Sequence, residues 1–356
     1  MTFGILDHLT EASIEREVLG PDADIRCLNC GSEADLPRDL SDLHAIMVWH
    51  YVQLSAASLE RLTSCRVIVR VGVGFDTVDI RAAGAFGIPV VNIPDYGTND
   101  VADHVMAILL SLTRRLPVYH DALRNDPVCG WVPAVGGEVR RLTGAALGIV
   151  GLGRIGTAVA ARARAFGMRV RFYDPYLPDG YEKSLQVERL QTLPELAAQS
   201  DYLSMHVPLT PETDGMIDDK VLESARPGLT LINTARGRVV RLDAVYRALL
   251  GGRLRAFGAD VLEDEPPLRS HPLIEAFSSR QQWIDGRVLL TPHAAFYAEE
   301  SRREMRQKAA ARMRDAVTGV PLRNCVNFRY LRHSRVQVVP VPSPPWDREI
   351  AEGLSS

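Results

Sequence analysis

The sequence lacks a surplus of charge of either sign. Lys and Arg number 41 against 44 Asp and Glu over 356 residues, a formal net charge of −3. No basic excess therefore offers a footprint for nucleic-acid phosphates or anionic lipid. It also lacks any apolar run near the roughly 20 residues needed to cross a bilayer. The first residues, Met1 to His8, show neither the basic nor the apolar region of a leader peptide. These absences predict a cytoplasmic protein whose partner is a small molecule, not nucleic acid or membrane. Cysteine is sparse: Cys27, Cys30, Cys65, Cys129 and Cys325 form an odd, scattered set that fits reduced thiols better than a disulfide framework. Cys27 and Cys30 have C-x-x-C spacing, but no second pair completes a zinc site and no helical pattern follows to suggest a redox motif, so no metal is expected.

What is present is an ordinary globular composition, 46% hydrophobic and 24% charged, in a chain long enough for two domains. From about 144 to 293 short apolar runs (147–150, 170–173, 202–206, 229–232, 256–259 and 288–290) alternate with helical spacing in 154–166, 193–198, 218–225 and 242–250. That alternation predicts a doubly wound parallel sheet. The first hundred residues repeat it, with strand candidates at 3–6, 25–28, 45–49, 66–70 and 89–92. Helical patterns at 99–115 and 298–317 flank the central block. If the second carries the chain back to the first domain, that domain is discontinuous and a cleft lies between the halves. The reading is thus α/β with two Rossmann-like domains: a flavodoxin-like substrate domain of residues 1–97 plus 297–328, and a dinucleotide-binding domain of 98–296. Residues 329–356, rich in proline, read as a flexible tail. The stretch 125–141 reads as an irregular arm, and 264–287 as a long polar excursion.

Gly151-Leu152-Gly153-Arg154-Ile155-Gly156 is a G-x-G-x-x-G loop that follows one strand candidate and opens a helix. Gly151 permits the tight turn, Gly153 lets the backbone approach a pyrophosphate, and Gly156 lets the helix pack on the strand. The helix start then offers free N–H groups to the anion. The next strand candidate ends at Asp174, placed to accept hydrogen bonds from a ribose diol and to repel a 2′-phosphate. NAD is therefore expected over NADP.

Three further polar segments follow strand candidates: Asn233 to Gly237, Asp260 to Pro266, and Thr291 to Ala295. Reducing a 2-oxo acid needs a cation for the carboxylate, an acid for the carbonyl oxygen and a group that keeps that acid protonated. Arginine, histidine and glutamate supply these.

With these segments in view, the sequence resembles the D-isomer-specific 2-hydroxyacid dehydrogenase family. The matching stretches are Val71 to Asp79, the 148–156 loop, Asn233 to Gly237, Asp260 to Pro266, and Pro292-His293-Ala294-Ala295, within about residues 40 to 327. Inside the family it looks most like the C-terminal-binding-protein branch, through Ala165-Phe166-Gly167, Phe172 to Tyr176, His293 to Tyr297 and Asn324 to Asn327. The resemblance implies that Arg236 binds the substrate carboxylate, that His293 exchanges the proton, and that Glu265 pairs with His293 and favours the imidazolium. It implies substrate contacts from His50, Arg70, Val73, Gly74 and Phe296. On the cofactor it places Val101, Arg154, Ile155, His206, Val207 and Pro208. Thr213, Thr234, Ala235, Asp260 (on the carboxamide) and His293 complete that set. A homodimer is also implied, with the 120–141 arm and the helix after Gly153 as interface candidates.

Three departures are visible. Arg241 stands where most family members carry an acidic residue, Phe296 where the corepressors of that branch carry tryptophan, and the 264–287 excursion, with Trp283, is longer than usual. The expected activity is NAD(H)-dependent interconversion of a 2-oxo acid and an (R)-2-hydroxy acid. Two alternatives stay open: an NAD(H)-sensing scaffold that binds a protein partner, and a dehydrogenase of another small oxyanion such as formate or phosphite.

Overall fold

The computed structural model describes residues 1–340. The chain divides into two compact units, Met1–Gly97 with the segment from Ala298 onward, and Thr98–Tyr297.

In the first unit, short apolar runs bounded by turns form β1 (Thr2–Ile5), β2 (Asp24–Cys27), β3 (Leu43–Val48), β4 (Ile68–Arg70) and β5 (Val90–Asn92). They pair in parallel in the order β2-β1-β3-β4-β5, the flavodoxin-like arrangement. The inner strands are almost wholly buried, and their sequences are correspondingly apolar; the edge strand β2 alternates exposed and half-buried residues. The helix Glu299–Thr318 returns to this unit and buries Met305, Ala309, Met313 and Ala316 at helical spacing. A bidentate ion pair fastens it: Arg306 donates from Nε and Nη2 to the two carboxylate oxygens of Glu15 at 2.6 and 2.5 Å. Both side chains are withdrawn from solvent.

Beyond that helix, Asn327 is completely buried. Its Oδ1 accepts from the Val90 amide at 2.8 Å, and its Nδ2 donates to the carbonyls of Ile88 at 2.9 Å and Ile80 at 3.3 Å. The flexible tail expected from residue 329 needs correction over its first part. Arg335 Nη1 donates to the carbonyls of Leu62, Thr63 and Cys65, and the Leu322 and Val339 amides bond across to Gln337 and Leu322. Extended chain there finds backbone partners on the unit itself. The remaining part of the expected tail, 341–356, lies outside the described residues.

The second unit contains β6 (Ala146–Val150), β7 (Arg169–Tyr173), β8 (Glu188–Arg189), β9 (Tyr202–Met205), β10 (Leu229–Asn233), β11 (Leu254–Ala259) and β12 (Val288–Leu290). All are parallel, in the order β12-β11-β10-β9-β6-β7-β8. This is the doubly wound dinucleotide-fold order with one added edge strand. Alternate residues feed two apolar layers. Leu147, Ile149, Phe172, Tyr202 and Ile232 join the helices Thr98–Thr113 and Arg154–Ala165. Leu203, Met205, Leu231 and Phe257 join the helices Leu193–Ala198, Asp219–Ser224 and Leu242–Leu250.

The 264–287 stretch corrects the expectation of a polar excursion. It contains the helix Pro272–Ser278, whose Leu273, Ile274 and Ala276 are buried in the second layer. Trp283 packs edge-on against Tyr246 with Arg287 over its ring. The three apolar positions were masked by the charged and polar residues around them.

Arg306→Ala is expected to destabilise the protein by about 3–5 kcal/mol, because it strands the Glu15 carboxylate in the interior. The denaturant midpoint followed by circular dichroism checks this. Replacing both partners, Glu15→Met with Arg306→Leu, should lose less than the single change.

Candidate active site

The glycine loop connects β6 to the helix Arg154–Ala165. Gly151 has φ +88°, and a Cβ there would stand 2.9 Å from the His206 carbonyl and from Val207. A Cβ on Gly156 would meet the Gly151 carbonyl at 2.2 Å, so the helix can start this close to the strand only with glycine. Around Gly153, in contrast, a Cβ would meet nothing within 4 Å. That open face lies at the start of a twelve-residue helix, where the first amides have no partner within the helix. Asp174 follows β7, and its carboxylate accepts from the Leu152 amide at 3.0 Å and the Tyr176 amide at 3.1 Å. The carboxylate is thereby fixed beside the loop. Ile155 is half-buried and Arg154 exposed in the helix's first turn; Val101 is half-buried in the first turn of Thr98–Thr113.

After β9, His206 shares a 2.9 Å hydrogen bond between Nε2 and Ser204 Oγ, and desolvation pushes its imidazole down to about 3. It is a neutral ring at any physiological pH. Pro208 and Thr213 build the next turn: Thr213 Oγ1 donates to the Pro208 carbonyl at 2.6 Å and accepts from the Thr210 amide at 2.8 Å. The Thr213 hydroxyl is thus engaged within its own turn.

After β10, Asn233 staples the Thr234–Arg236 turn. Its Oδ1 accepts from the Ala235 amide at 3.0 Å and its Nδ2 donates to the Arg236 carbonyl at 2.8 Å. Thr234 is buried, and its Oγ1 has no hydrogen-bond partner among the described residues. A buried hydroxyl without a partner is costly and fits a site completed by a bound group. Gly237 brings this turn against the next one, since a Cβ there would lie 1.8 Å from the Leu262 carbonyl. Arg236 is thereby close enough to Glu265 to act on its charge. Arg241, the departure noted above, lies between Asp214 at 3.1 Å and Glu263 at 3.2 Å.

Glu265 Oε2 is 2.7 Å from His293 Nδ1. Burial pushes the Glu265 carboxyl up, but its hydrogen bond to His293, the charge of that ring, the Leu262 amide and Arg236 together bring it below the usual carboxylate range. His293 has φ +53°, a left-handed conformation rare for a residue with a side chain. Asp260 holds it there. The Asp260 carbonyl accepts from the His293 amide at 2.7 Å, and its buried carboxylate accepts from Thr291 Oγ1 at 2.6 Å and from the amides of Ala294 and Ala295 at 2.8 and 2.9 Å. Asp260, the residue expected on a carboxamide, also anchors the His293 turn. His104 completes the support, with Nε2 at 2.9 Å from Thr291 Oγ1. The Phe296 ring meets His293 edge-on at 6.2 Å, and Tyr297, largely exposed, meets Phe296 in the same way.

The substrate-side expectations fall on the other unit, after its strands. Arg70, at the end of β4, is buried and donates to the Val71 carbonyl at 2.5 Å. Gly72 has φ +139° and leaves room for that guanidinium, which a Cβ would meet at 1.9 Å. Asn92 donates to the Val73 carbonyl at 2.6 Å and steadies the Val73-Gly74 backbone. The His50 ring packs against that of Tyr51, centroids 4.3 Å apart and planes tilted by 39°. The loop carrying both is clamped by Asp7, whose carboxylate accepts from the amides of Trp49, Tyr51 and Val52 at 2.7 to 3.2 Å.

The sequence reading missed Asp7 and His104. For Asp7 a signal existed, a polar residue directly after a strand, the same rule that found the others. His104 lies inside a helical pattern and carried none. Among the described residues no cluster of three His, Cys, Asp or Glu could hold a metal ion, and no helix is long and apolar enough to cross a membrane.

Gly237→Ala tests this geometry. It should force the 262–265 loop away from Arg236 and His293, and a displacement of about 1 Å costs roughly a hundredfold in turnover. NADH affinity should hold, as read by direct fluorescence titration. Unchanged turnover would show that the two turns need not abut.

Comparison with known proteins accords with this arrangement. Residues 106–295 match the family described as D-isomer specific 2-hydroxyacid dehydrogenase, NAD binding domain. The chain is 34% identical over 325 residues to D-3-phosphoglycerate dehydrogenase of Mycobacterium bovis, covering 91% of this chain and 58% of that relative. It thus spans little more than half the length of that enzyme. Among solved structures, D-lactate dehydrogenase from Aquifex aeolicus, complexed with NAD and lactic acid, superposes with a TM-score of 0.78 at 30% identity, over 90% of this chain and 96% of that one. An NADPH-dependent glyoxylate/hydroxypyruvate reductase from Sinorhizobium meliloti, with NADP and malonate, gives a TM-score of 0.80 at 26% identity over 95% and 99%. The chain belongs to the D-isomer specific 2-hydroxyacid dehydrogenase family, and its Thr98–Tyr297 unit holds that family's NAD-binding domain.

Proposed function

We propose that the protein is an NAD(H)-dependent oxidoreductase that interconverts a 2-oxo acid and an (R)-2-hydroxy acid. The observation that carries this reading is the 2.7 Å pair of His293 and Glu265 with Arg236 on the adjoining turn, all three following the carboxyl ends of β10, β11 and β12, where a dinucleotide fold meets its ligand. The open face at Gly153, the carboxylate of Asp174 and the unpartnered Thr234 hydroxyl suit the dinucleotide. When bound, NADH supplies the hydride.

The protein's own groups then have distinct tasks. Arg236 takes the substrate carboxylate and draws electron density from the adjacent carbonyl. His293, with Nδ1 engaged by Glu265, delivers its proton from Nε2 to the carbonyl oxygen and takes it back in the reverse direction. Glu265 holds the ring's orientation and balances its charge. The Val73-Gly74 backbone, Arg70 and His50 belong to the substrate side of the proposal. Phe296 and Tyr297 favour an apolar or aromatic side chain on the substrate. The C-terminal-binding-protein-like branch and a cytoplasmic location remain part of this proposal. So does a homodimer, supported by Val128 and Trp131 of the 120–141 arm, which are 81% and 76% exposed.

The test is loss of NADH absorbance with glyoxylate, pyruvate, branched-chain and aromatic 2-oxo acids, with NADPH in parallel. Turnover with aromatic members above glyoxylate is expected; equal efficiency on both would remove the side-chain assignment, and no turnover on any would remove the activity. His293→Ala should lower kcat by about 10²–10⁴-fold with NADH affinity retained. Equal loss of both would count against its role as proton donor.

The pH dependence follows from Glu265. A carboxyl held low in the folded protein keeps its pairing above the ordinary glutamate value of about 4.3 and loses it as pH falls through the lower folded value. The Glu265-dependent acidic limb of kcat/KM for reduction should therefore lie below about 4.3. A Glu265-dependent limb above it would contradict the charged pair.

A further inference from the structure

Because all strands of the Thr98–Tyr297 unit are parallel, its sheet has two different edges. The glycine loop, Asp174, His206, Thr234 and Asp260 follow the carboxyl ends. At the opposite edge, where β6, β9, β10 and β11 begin, there is a cavity of about 270 Å³ lined by Arg140, Arg141, Arg255, Asp201, Tyr202 and Thr230, among others. This is just under the ~300–1,000 Å³ of sites for drug-sized ligands, so its occupant is small.

The charge in this cavity is unbalanced. Three arginines line it, with a single carboxylate residue, Asp201. Asp201 is already committed: its Oδ2 accepts from the Ala146 amide at 2.9 Å and its Oδ1 pairs with Arg226 at 3.0 Å. The compensation comes from outside the lining. One oxygen of Glu138, a side chain 69% exposed, bridges Arg140 Nε at 2.9 Å and Arg255 Nη1 at 3.0 Å. Arg255 also donates to the Glu138 carbonyl. These hydrogen bonds hold the Glu138 carboxyl below the usual carboxylate range. Arg141 has no hydrogen bond or ion pair among the described residues.

Two more cations add to the field. Arg287 directs its N–H groups to the backbone carbonyls of Arg255, Leu249 and Leu254, and Arg115 directs its own to Gly136, Gly286 and Asp285. Neither is neutralised by those carbonyls, although Asp285 lies close enough to Arg115 to act on its charge. A solvated surface needs no such convergence around a hollow. One exposed carboxylate oxygen, shared between two guanidiniums, sits where a group with three or four oxygens could engage each cation separately.

We propose that this cavity binds a phosphate group, free or as the head of a small phosphate monoester, with Arg140, Arg141 and Arg255 on its oxygens and Glu138 displaced. The site is separate from the one that carries the proposed activity and does not depend on it.

The test is calorimetric titration of the NADH-loaded protein with inorganic phosphate against chloride at matched ionic strength; saturating NADH keeps the pyrophosphate position filled. A single saturable site is expected. Arg140→Ala and Arg255→Ala should each weaken it roughly tenfold or more, the loss of a charge-assisted hydrogen bond. Glu138→Gln should tighten it several-fold by removing the competing carboxylate, an effect that damage to the fold would not produce. Absence of saturable heat, or binding unaffected by all three changes, overturns the proposal. Glycerol phosphate binding tighter than inorganic phosphate assigns the site to monoesters, and the reverse order assigns it to the free ion.

Discussion

The candidate site rests on one buried carboxylate, that of Asp260. Asp260 follows β11, and its two oxygens accept from a threonine hydroxyl and two successive amides of the Thr291–Ala295 turn, while its carbonyl accepts from the His293 amide. A buried carboxylate is tolerated only when its oxygens are satisfied, so this arrangement is self-enforcing. The turn must close around Asp260, and in closing it places His293 at φ +53° with Nδ1 on Glu265. Local strain at the histidine is held by bonds that are individually modest and jointly hard to break.

The other constraint is close approach of backbone to backbone. Gly151, Gly156 and Gly237 each stand where a Cβ would collide with a carbonyl oxygen of the neighbouring turn or of their own loop. These contacts join the loop after β6 to that after β9 and the loop after β10 to that after β11, and the Gly215 and Ile217 amides, donating to the Arg238 and Val239 carbonyls, link the two pairs. The open helix start at Gly153 and the Arg236–Glu265–His293 group thereby belong to the same edge, and side chains on rigid edges are the ones that can be held in a productive geometry. The opposite edge shares the strands but not the glycines. It gathers arginines around a hollow, a different chemistry on the same scaffold.

Much of the fold was legible because it is local. Apolar runs bounded by turns marked every strand except β8, a two-residue edge strand too short to show a period. The glycine spacing was readable because Gly151 and Gly156 answer steric needs that no other residue meets. The residue types of the proposed reaction stood out for a different reason: Arg236, Glu265 and His293 follow strands in an order that one reaction would explain. What escaped the reading depends on partners remote in the chain. His104 and Thr291 are 187 residues apart, and Glu138 and Arg255 are 117 apart. Leu273 and Ile274 are buried inside a stretch whose polar neighbours made it read as exposed.

By itself, then, the sequence determined two parallel α/β sheets, a dinucleotide loop and the residue types of the candidate reaction, since period, glycine sterics and side-chain chemistry act over a few residues. Tertiary structure alone decided which turns touch. It made Asp260 a scaffold, turned Thr213 into its own loop, drew the helix Glu299–Thr318 onto the first unit through Arg306 and Glu15, and fastened the chain near Arg335 to carbonyls of that unit. Hydrogen-bond partners of buried groups are chosen by whatever the folded chain brings within about 3 Å, and no local pattern encodes that choice.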